Sequence, residues 1–178
     1  LKIRLVKDDD ITSIAKIHID NWKNIYQEIF PSEYLAGLNY NDAKKEWIKY
    51  LEQEDAFIYI AASDEDSVCG FVACKLDEEV PYSGKLYSLH VNQPNRGKGI
   101  GKQLIVTAAN HFQSMQISSM TLWAVETNEH AISIYKHLGA MVHKHEIRYF
   151  DEVPVRQLGL IWNDISCLCK TNDARGQG

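Results

Sequence analysis

Apolar positions change their spacing several times along the chain, and each change predicts an element. Lys2–Val6 reads as a first strand, followed by Asp8–Asp10, whose carboxylates are helix N-cap candidates. Ile11, Ile14, Ala15, His18, Trp22, Ile25 and Tyr26 then recur at offsets 0, 3, 4, 7, 11, 14 and 15, one face of a helix that breaks near Tyr26. Pro31 is placed for the first turn of another helical stretch, which continues from Asn41 to Leu51. Ala56–Ala62 and Ser67–Leu76 read as strands joined by a polar turn, and Lys85–Val91 as the next strand. Ile100, Leu104, Ile105, Ala108, Phe112 and Met115 mark a helix face, and Met120–Val125 a strand. Ala131, Ile134, Tyr135 and Leu138 form a helix closed by Gly139. Met141–Phe150 and Pro154–Trp162 pair as a last hairpin. The order β-α-α-β-β-β-α-β-α-β-β predicts an α/β fold: a single mixed central sheet of about seven strands, flanked on both faces by about four helices.

Composition adds bounds. The 178 residues are 45% hydrophobic and 24% charged, as expected of one globular domain, with residues 1–165 as the domain and 166–178 as a polar C-terminal tail. No run approaches the roughly 18 apolar residues of a membrane span. "LKIRLVKDDD" lacks the apolar core of a signal peptide. A cytoplasmic protein without a membrane partner is expected. The formal net charge of −5 argues against nucleic acid and favours a cationic small molecule or peptide. Cys69, Cys74, Cys167 and Cys169 have C-x4-C and C-x-C spacings, poor for zinc, so reduced thiols and no metal are expected.

The chemistry concentrates in "NQPNRGKGIGKQL", Asn92 to Leu104, between a predicted strand and a predicted helix. The first N–H groups of a helix lack intrahelical acceptors and favour an anion. Gly97, Gly99 and Gly101 permit positive φ and close backbone approach. Arg96, Lys98 and Lys102 add positive charge, and Arg can grip phosphate bidentately. The P-loop pattern fails at Gln103, where Ser or Thr should stand, and at Arg96, where the first Gly should be. The dinucleotide fingerprint fails at Lys102. Arg96-x-x-Gly99-x-Gly101 remains, and by itself it is equally a plain glycine turn.

The surroundings extend the pattern. "LHVNQPNRGKGIGKQL" resembles the pyrophosphate-binding segment of the GNAT superfamily of acyl-CoA-dependent N-acyltransferases, and "LWAVETNEHAISIYKHLGA" resembles its second signature. The elements of that signature are Leu122-Trp123, Asn128, Ala131, Tyr135 and Gly139, with Ala140 in place of the usual Phe. "NWKNIYQEIFPSEYL" is similar to the N-terminal helical segment of such enzymes, so the resemblance covers about residues 2 to 162. It implies that the fourth and fifth strands splay to admit the pantetheine arm of acetyl-CoA. It places exposed strand backbone for the acyl carbonyl at Leu89, His90 and Val91. It puts the pyrophosphate on Arg96, Gly97, Lys98, Gly99, Ile100, Gly101 and Lys102, with Asn128 contacting the pantetheine end of the cofactor. Trp22 and Tyr26 resemble the acceptor-side wall; core packing on the helix stripe is the competing reading. A homodimer is common among such proteins.

Acyl transfer to an amine needs a neutral nucleophile, a stabilised oxyanion and a proton for the leaving thiolate. A lysine-like amine has a pKa near 10.4, so neutralising it near pH 7 costs about 4–5 kcal/mol. Tyr135 occupies the resemblance's catalytic tyrosine position, and a phenol near pKa 10 is protonated when a thiolate leaves. Its apolar stripe alone would make it a core tyrosine. Glu126 and His90 are candidate bases; their competing readings are a solvated helix-start carboxylate and a satisfied strand histidine. His18, on the apolar face, reads first as a hydrogen-bonded core residue. Ordered water is a further alternative. The Asp77–Glu79 run either attracts an amine or is simply solvated, and the Tyr149–Pro154 turn either lines the acceptor pocket or is a hairpin tip. The expected function is transfer of an acetyl group from acetyl-CoA to a primary amine of a small molecule or peptide, through a ternary complex. A non-catalytic acyl-CoA-binding module and a phosphate-loop nucleotide binder are the alternatives.

Overall fold

In a computed structural model, described over residues 1–173, the strands are β1 (Lys2–Leu5), β2 (Phe57–Ala62), β3 (Val68–Leu76), β4 (Ser83–Val91), β5 (Ser119–Val125), β6 (Met141–Phe150) and β7 (Val153–Trp162). They form one seven-stranded sheet in the order β1-β2-β3-β4-β5-β7-β6. The described helices are α1 (Ile11–Ile25), α2 (Ser32–Gly37), α3 (Tyr40–Leu51), α4 (Ile100–Ser114), α5 (Glu129–His137) and α6 (Ser166–Asp173). Two more helices occur than the predicted four. The stretch from Pro31 to Leu51 divides where Leu38 takes an extended conformation, and Asn39 caps α3 by accepting from the Asp42 N–H at 2.9 Å. The segment read as tail begins as α6, with Leu168 buried; residues 174–178 lie outside the described residues.

The sheet is mixed. β1, β2 and β3 are antiparallel neighbours, as are β5, β7 and β6, while β4 and β5 run parallel. The parallel register runs from Ser83↔Ser119 to Leu86↔Leu122, whereas β4 continues to Val91 and β5 to Val125. β2 and β3 read as nearly continuous apolar runs because they are buried along most of their length.

The chain divides into two compact units, and the division passes through β4 and α4. The first holds residues 1–74 and 88–107, the second residues 75–87 and 108–178. In the first, Ile11, Ile14, Ala15, Ile17 and Ile19 of α1 pack with Trp47 of α3, Ile58 and Ile60 of β2, and Phe71 of β3. The predicted α1 face needs correction at its end: Ile25 is exposed, while Ile17 and Ile19 are buried. Asp10 precedes α1 but does not cap it with its side chain. Its carboxylate takes Arg4 at 2.7 and 3.1 Å and the Lys7 N–H at 2.7 Å. In the second unit Phe112, Met120, Leu160, Trp162 and Ile165 are fully buried. Gly84 is required there, because a Cβ would stand 2.5 Å from the Phe112 ring. On α5, Ile132 is buried and Ile134 exposed, so the predicted stripe is shifted.

Candidate functional site

The glycine loop leaves β4 through a 3-10 turn, Gln93–Asn95, and reaches α4 through two left-handed residues, Gly97 (φ 76°) and Gly99 (φ 79°). The Gly99 carbonyl accepts from Gln103 N–H at 3.1 Å, which makes Gly99 the cap and leaves the N–H groups of Ile100, Gly101 and Lys102 without intrahelical acceptors. A Cβ built on Gly97, Gly99 or Gly101 meets no atom within 4 Å. Positive φ explains the first two glycines. Gly101 has neither positive φ nor crowding, although glycine in a helix costs about 1 kcal/mol against alanine. Lys98 donates to Asn95 Oδ1 at 3.1 Å.

The Arg96 guanidinium is partly engaged within the chain. Its Nη2 donates to Asn21 Oδ1 at 2.7 Å and its Nε to the Val91 carbonyl at 3.2 Å. Asn21, buried on α1, also donates to the Val91 carbonyl at 3.1 Å and lies 3.3 Å from His90 Nδ1. Guanidinium nitrogens only donate, so Arg96 fixes which end of the Asn21 amide is oxygen. The other end is the N–H₂, and His90 Nδ1 must accept from it. His90 is therefore neutral, with its proton on Nε2. His18 is fixed in the same way, because Trp47 Nε1 can only donate and lies 3.2 Å from His18 Nδ1. The two rings are 5.4 Å apart, and His90 also packs on Phe71. Desolvation lowers His18 to a pKa of about 4. Desolvation, then His18 and Arg96, lower His90 to about 3. Asn21 escaped the sequence reading because it looks like an ordinary helix asparagine. Its signal was position: offset 10 lies on the same stripe as Ile11, Ile14 and His18. Gly70 of β3 supports this strand end, since a Cβ there would stand 2.8 Å from the His90 carbonyl.

Trp22 and Tyr26 head an aromatic series. Trp22 meets Tyr26 at 4.6 Å and Phe30 at 5.2 Å, and Phe30 stacks on Tyr34 at 4.9 Å. Phe30 is buried while Trp22, Tyr26 and Tyr34 keep partial exposure, and burial raises the Tyr26 pKa.

The remaining candidates belong to the second unit. Glu126 is exposed just past β5, its N–H bonded to the Arg156 carbonyl at 3.0 Å. Asn128 caps α5 with its backbone carbonyl and makes no side-chain capping bond. Tyr135 is half-buried and meets Trp162 edge-on at 6.2 Å. The Asp77–Glu79 run is not simply solvated, since two of its carboxylates are bonded within the chain. Asp77 accepts from the N–H groups of Glu79 and Val80 at 2.7 and 2.9 Å and from the Thr121 hydroxyl. Glu79 accepts twice from Arg148 Nη2, at 2.7 and 2.9 Å, and the Arg148 guanidinium lies 3.8 Å over the Trp123 ring. Tyr149 to Pro154 is the β6–β7 hairpin turn, with Asp151 left-handed at φ 52° and Tyr149 exposed. Cys69 and Cys74 are buried, Cys167 is exposed and Cys169 is intermediate. Among the described residues no group of three or more His, Cys, Asp or Glu could hold a metal ion, and no helix is long and apolar enough to cross a membrane.

The frame of the site is a mixed seven-stranded sheet whose fourth strand leads through a glycine loop into α4. The model of the acetyltransferase (GNAT) family matches residues 19–140; the chain belongs to that family and is an N-acetyltransferase. Over 168 residues it is 29% identical to the uncharacterised N-acetyltransferase YuaI of Bacillus subtilis (strain 168), covering 93% of this chain and 95% of that protein. The fold matches the PaiA N-acetyltransferase of Thermoplasma acidophilum, solved with coenzyme A, at a TM-score of 0.67 and 18% identity over 88% of this chain and 96% of that one. It also matches a mutant of the spermidine N-acetyltransferase SpeG of Vibrio cholerae at a TM-score of 0.71 and 14% identity, covering 97% and 99% of the two chains.

Proposed function

We propose that this protein transfers the acetyl group of acetyl-CoA to a primary amine of a small molecule or peptide, by direct attack in a ternary complex. The observation that carries the donor assignment is Gly101, a helix-start glycine that the free chain does not need and a pyrophosphate lying on the backbone would. The coenzyme A bound by the PaiA relative supports the same donor, and the spermidine named for the SpeG relative is an amine acceptor of the proposed kind.

The N–H groups from Gly97 to Lys102 hold the pyrophosphate, the Arg96 N–H being bonded to the Gln93 carbonyl at 3.3 Å; Lys98 and Lys102 add charge, and Asn128 contacts the pantetheine end. Leu89, His90 and Val91 offer the strand edge to the acyl group. In the reaction the amine nitrogen bonds the acetyl carbon, the C–S bond breaks, the amine loses a proton and the thiolate gains one. Tyr135 holds the proton for the thiolate. Glu126, exposed just past β5, takes the amine proton directly or through water. His90 is too weak a base for that work; as a neutral N–H donor it contributes polarity to the acyl side instead. Trp22 and Tyr26 line the acceptor.

An amine panel assayed with acetyl-CoA for thiol release tests this reading, run beside Tyr135→Phe. Turnover on a primary amine, with kcat at least about 100-fold lower in the variant, is the expected result. Binding of CoA without turnover on any amine would leave a non-catalytic acyl-CoA module. Full activity of the variant across pH would remove Tyr135 from the mechanism.

A further inference from the structure

We infer that Asn21 is a positioning residue that sets both the glycine loop and the protonation pattern of His90. The inference rests on the proposed donor site for its kinetic meaning, but its geometry stands apart from it. One buried amide serves three groups: Arg96, the last carbonyl of β4 and the His90 ring.

Each of the three bonds has a separate consequence. The Arg96 bond draws the side chain that opens the loop back onto α1 and takes up its Nε–Nη2 edge, leaving Nη1 for an anion. Arg96 therefore shapes the cradle more than it grips the ligand. The bond to the Val91 carbonyl, shared with Arg96 Nε, occupies the acceptor that would otherwise continue the strand. The bond to His90 Nδ1 puts the proton on Nε2. With Nδ1 of each ring, His18 and His90, accepting, the proton of each ring sits on Nε2, and among the described residues no bond from either Nε2 is found. The charged and titratable groups that act on the His90 ring are His18 from α1 and Arg96 from the loop, both opposing its protonation.

Asn21→Asp separates these roles. A carboxylate keeps an acceptor for Arg96 but has no N–H₂ for Val91 or His90. His90 must then turn a proton on Nδ1 toward the new carboxylate, by changing tautomer or by taking up a second proton. Asn21→Ala removes all three bonds. Three measurements on the full chain decide the matter: the His90 tautomer by nitrogen NMR, the KM for acetyl-CoA, and the pH profile of kcat. Wild type should show the Nε2–H tautomer throughout the neutral range. Asn21→Asp should show a proton on Nδ1 and shift the acid limb of the kcat profile upward by at least about one pH unit, with the KM for acetyl-CoA within about twofold of wild type. Asn21→Ala should raise that KM about tenfold, and Arg96→Gln should raise it by a smaller factor in the Asn21→Ala background than in wild type, since the two changes share the Asn21–Arg96 bond.

A wild-type tautomer in Asn21→Asp overturns the inference, and so does an unchanged acetyl-CoA KM in a folded Asn21→Ala. If Asn21→Ala does not fold, the Asn21→Asp variant decides alone. If wild type binds no CoA, the donor reading fails, while the tautomer measurement still tests Asn21.

Discussion

The two units each tie a connecting segment to the sheet, and they do so with opposite physics. In the first, the end of β4 and its loop are held by Asn21, a neutral amide only 4% exposed. In the second, the segment after β3 is held by carboxylates: Asp77 on backbone N–H groups and Thr121, and Glu79 on Arg148. The Glu79 and Arg148 side chains are 41% and 30% exposed. A carboxylate stays ionised cheaply where water reaches it, whereas a charge sealed beside His18, His90 and Phe71 would bear a large desolvation cost. Around His90 the chain uses an amide and neutral imidazoles; after β3 it uses partly exposed carboxylates and an ion pair. The first kind is directional and intolerant of change, the second screened and forgiving.

The largest expected effect follows from the dry unit. His18 and His90, lowered to about 4 and about 3, have an ordinary pKa near 6.5 in the unfolded chain. Between those values the unfolded state binds more protons than the folded one. Stability is therefore full above pH 6.5 and falls as the pH drops toward 3, by up to about 1.4 kcal/mol per unit for each ring. Asp10, held below its usual range chiefly by Arg4, adds loss at the acid end. Denaturant unfolding from pH 7.5 to 4.5 should register several kcal/mol of loss. His18→Gln, which keeps an acceptor for Trp47, should flatten that slope. An unchanged slope in His18→Gln and in His90→Gln would mean the rings are hydrated and the contrast between the units is wrong.

Much of this was legible in the amino-acid pattern. Strand and helix order followed from periodicity, because the buried faces are wide and few core positions are polar. The loop was legible because Gly97, Gly99 and Gly101 sit between a strand and a helix. Partners across the chain were not. Nothing local to Asn21 announces Arg96, 75 residues away, and nothing local to Glu79 announces Arg148, 69 residues away. The bonds of Arg96 within the chain were hidden for that reason: the sequence displays a side chain's donors but not which are already taken. The helix boundary at Leu38 was hidden as well, since it depends on backbone conformation and the cap at Asn39.

A middle-sized effect compares two of the strand glycines, Gly70 and Gly84. In Gly70→Ala the new methyl would stand 2.8 Å from the His90 carbonyl and 3.2–3.3 Å from Val91, so the obstacle is largely backbone. In Gly84→Ala it would stand about as deep in the Phe112 ring, at 2.5–2.6 Å. Each should lose about 1–3 kcal/mol of stability. Phe112→Leu should partly restore Gly84→Ala by freeing the space, but no single neighbour offers that relief to Gly70→Ala. Gly70→Ala should also raise the acetyl-CoA KM, because it moves the carbonyl beside the Asn21 network. Equal stability losses with wild-type KM in both variants would separate the strand end from the loop and weaken the contrast.

The smallest effect belongs to the wet unit and is read best as a salt dependence. Arg148→Lys keeps the charge but loses the planar fork over Trp123 and the paired donation to Glu79. Partly exposed pairs contribute only about 0.2–1 kcal/mol, so the loss should be of that size in dilute buffer. Its Coulombic part should shrink toward zero near 1 M salt, where the Debye length is about 3 Å. The loss in Asn21→Ala should survive the same salt, because hydrogen bonds to a buried amide are not screened. If the Arg148→Lys loss persisted undiminished at high salt, stacking on Trp123 would be what holds the segment. The second unit would then be tied by packing rather than by charge.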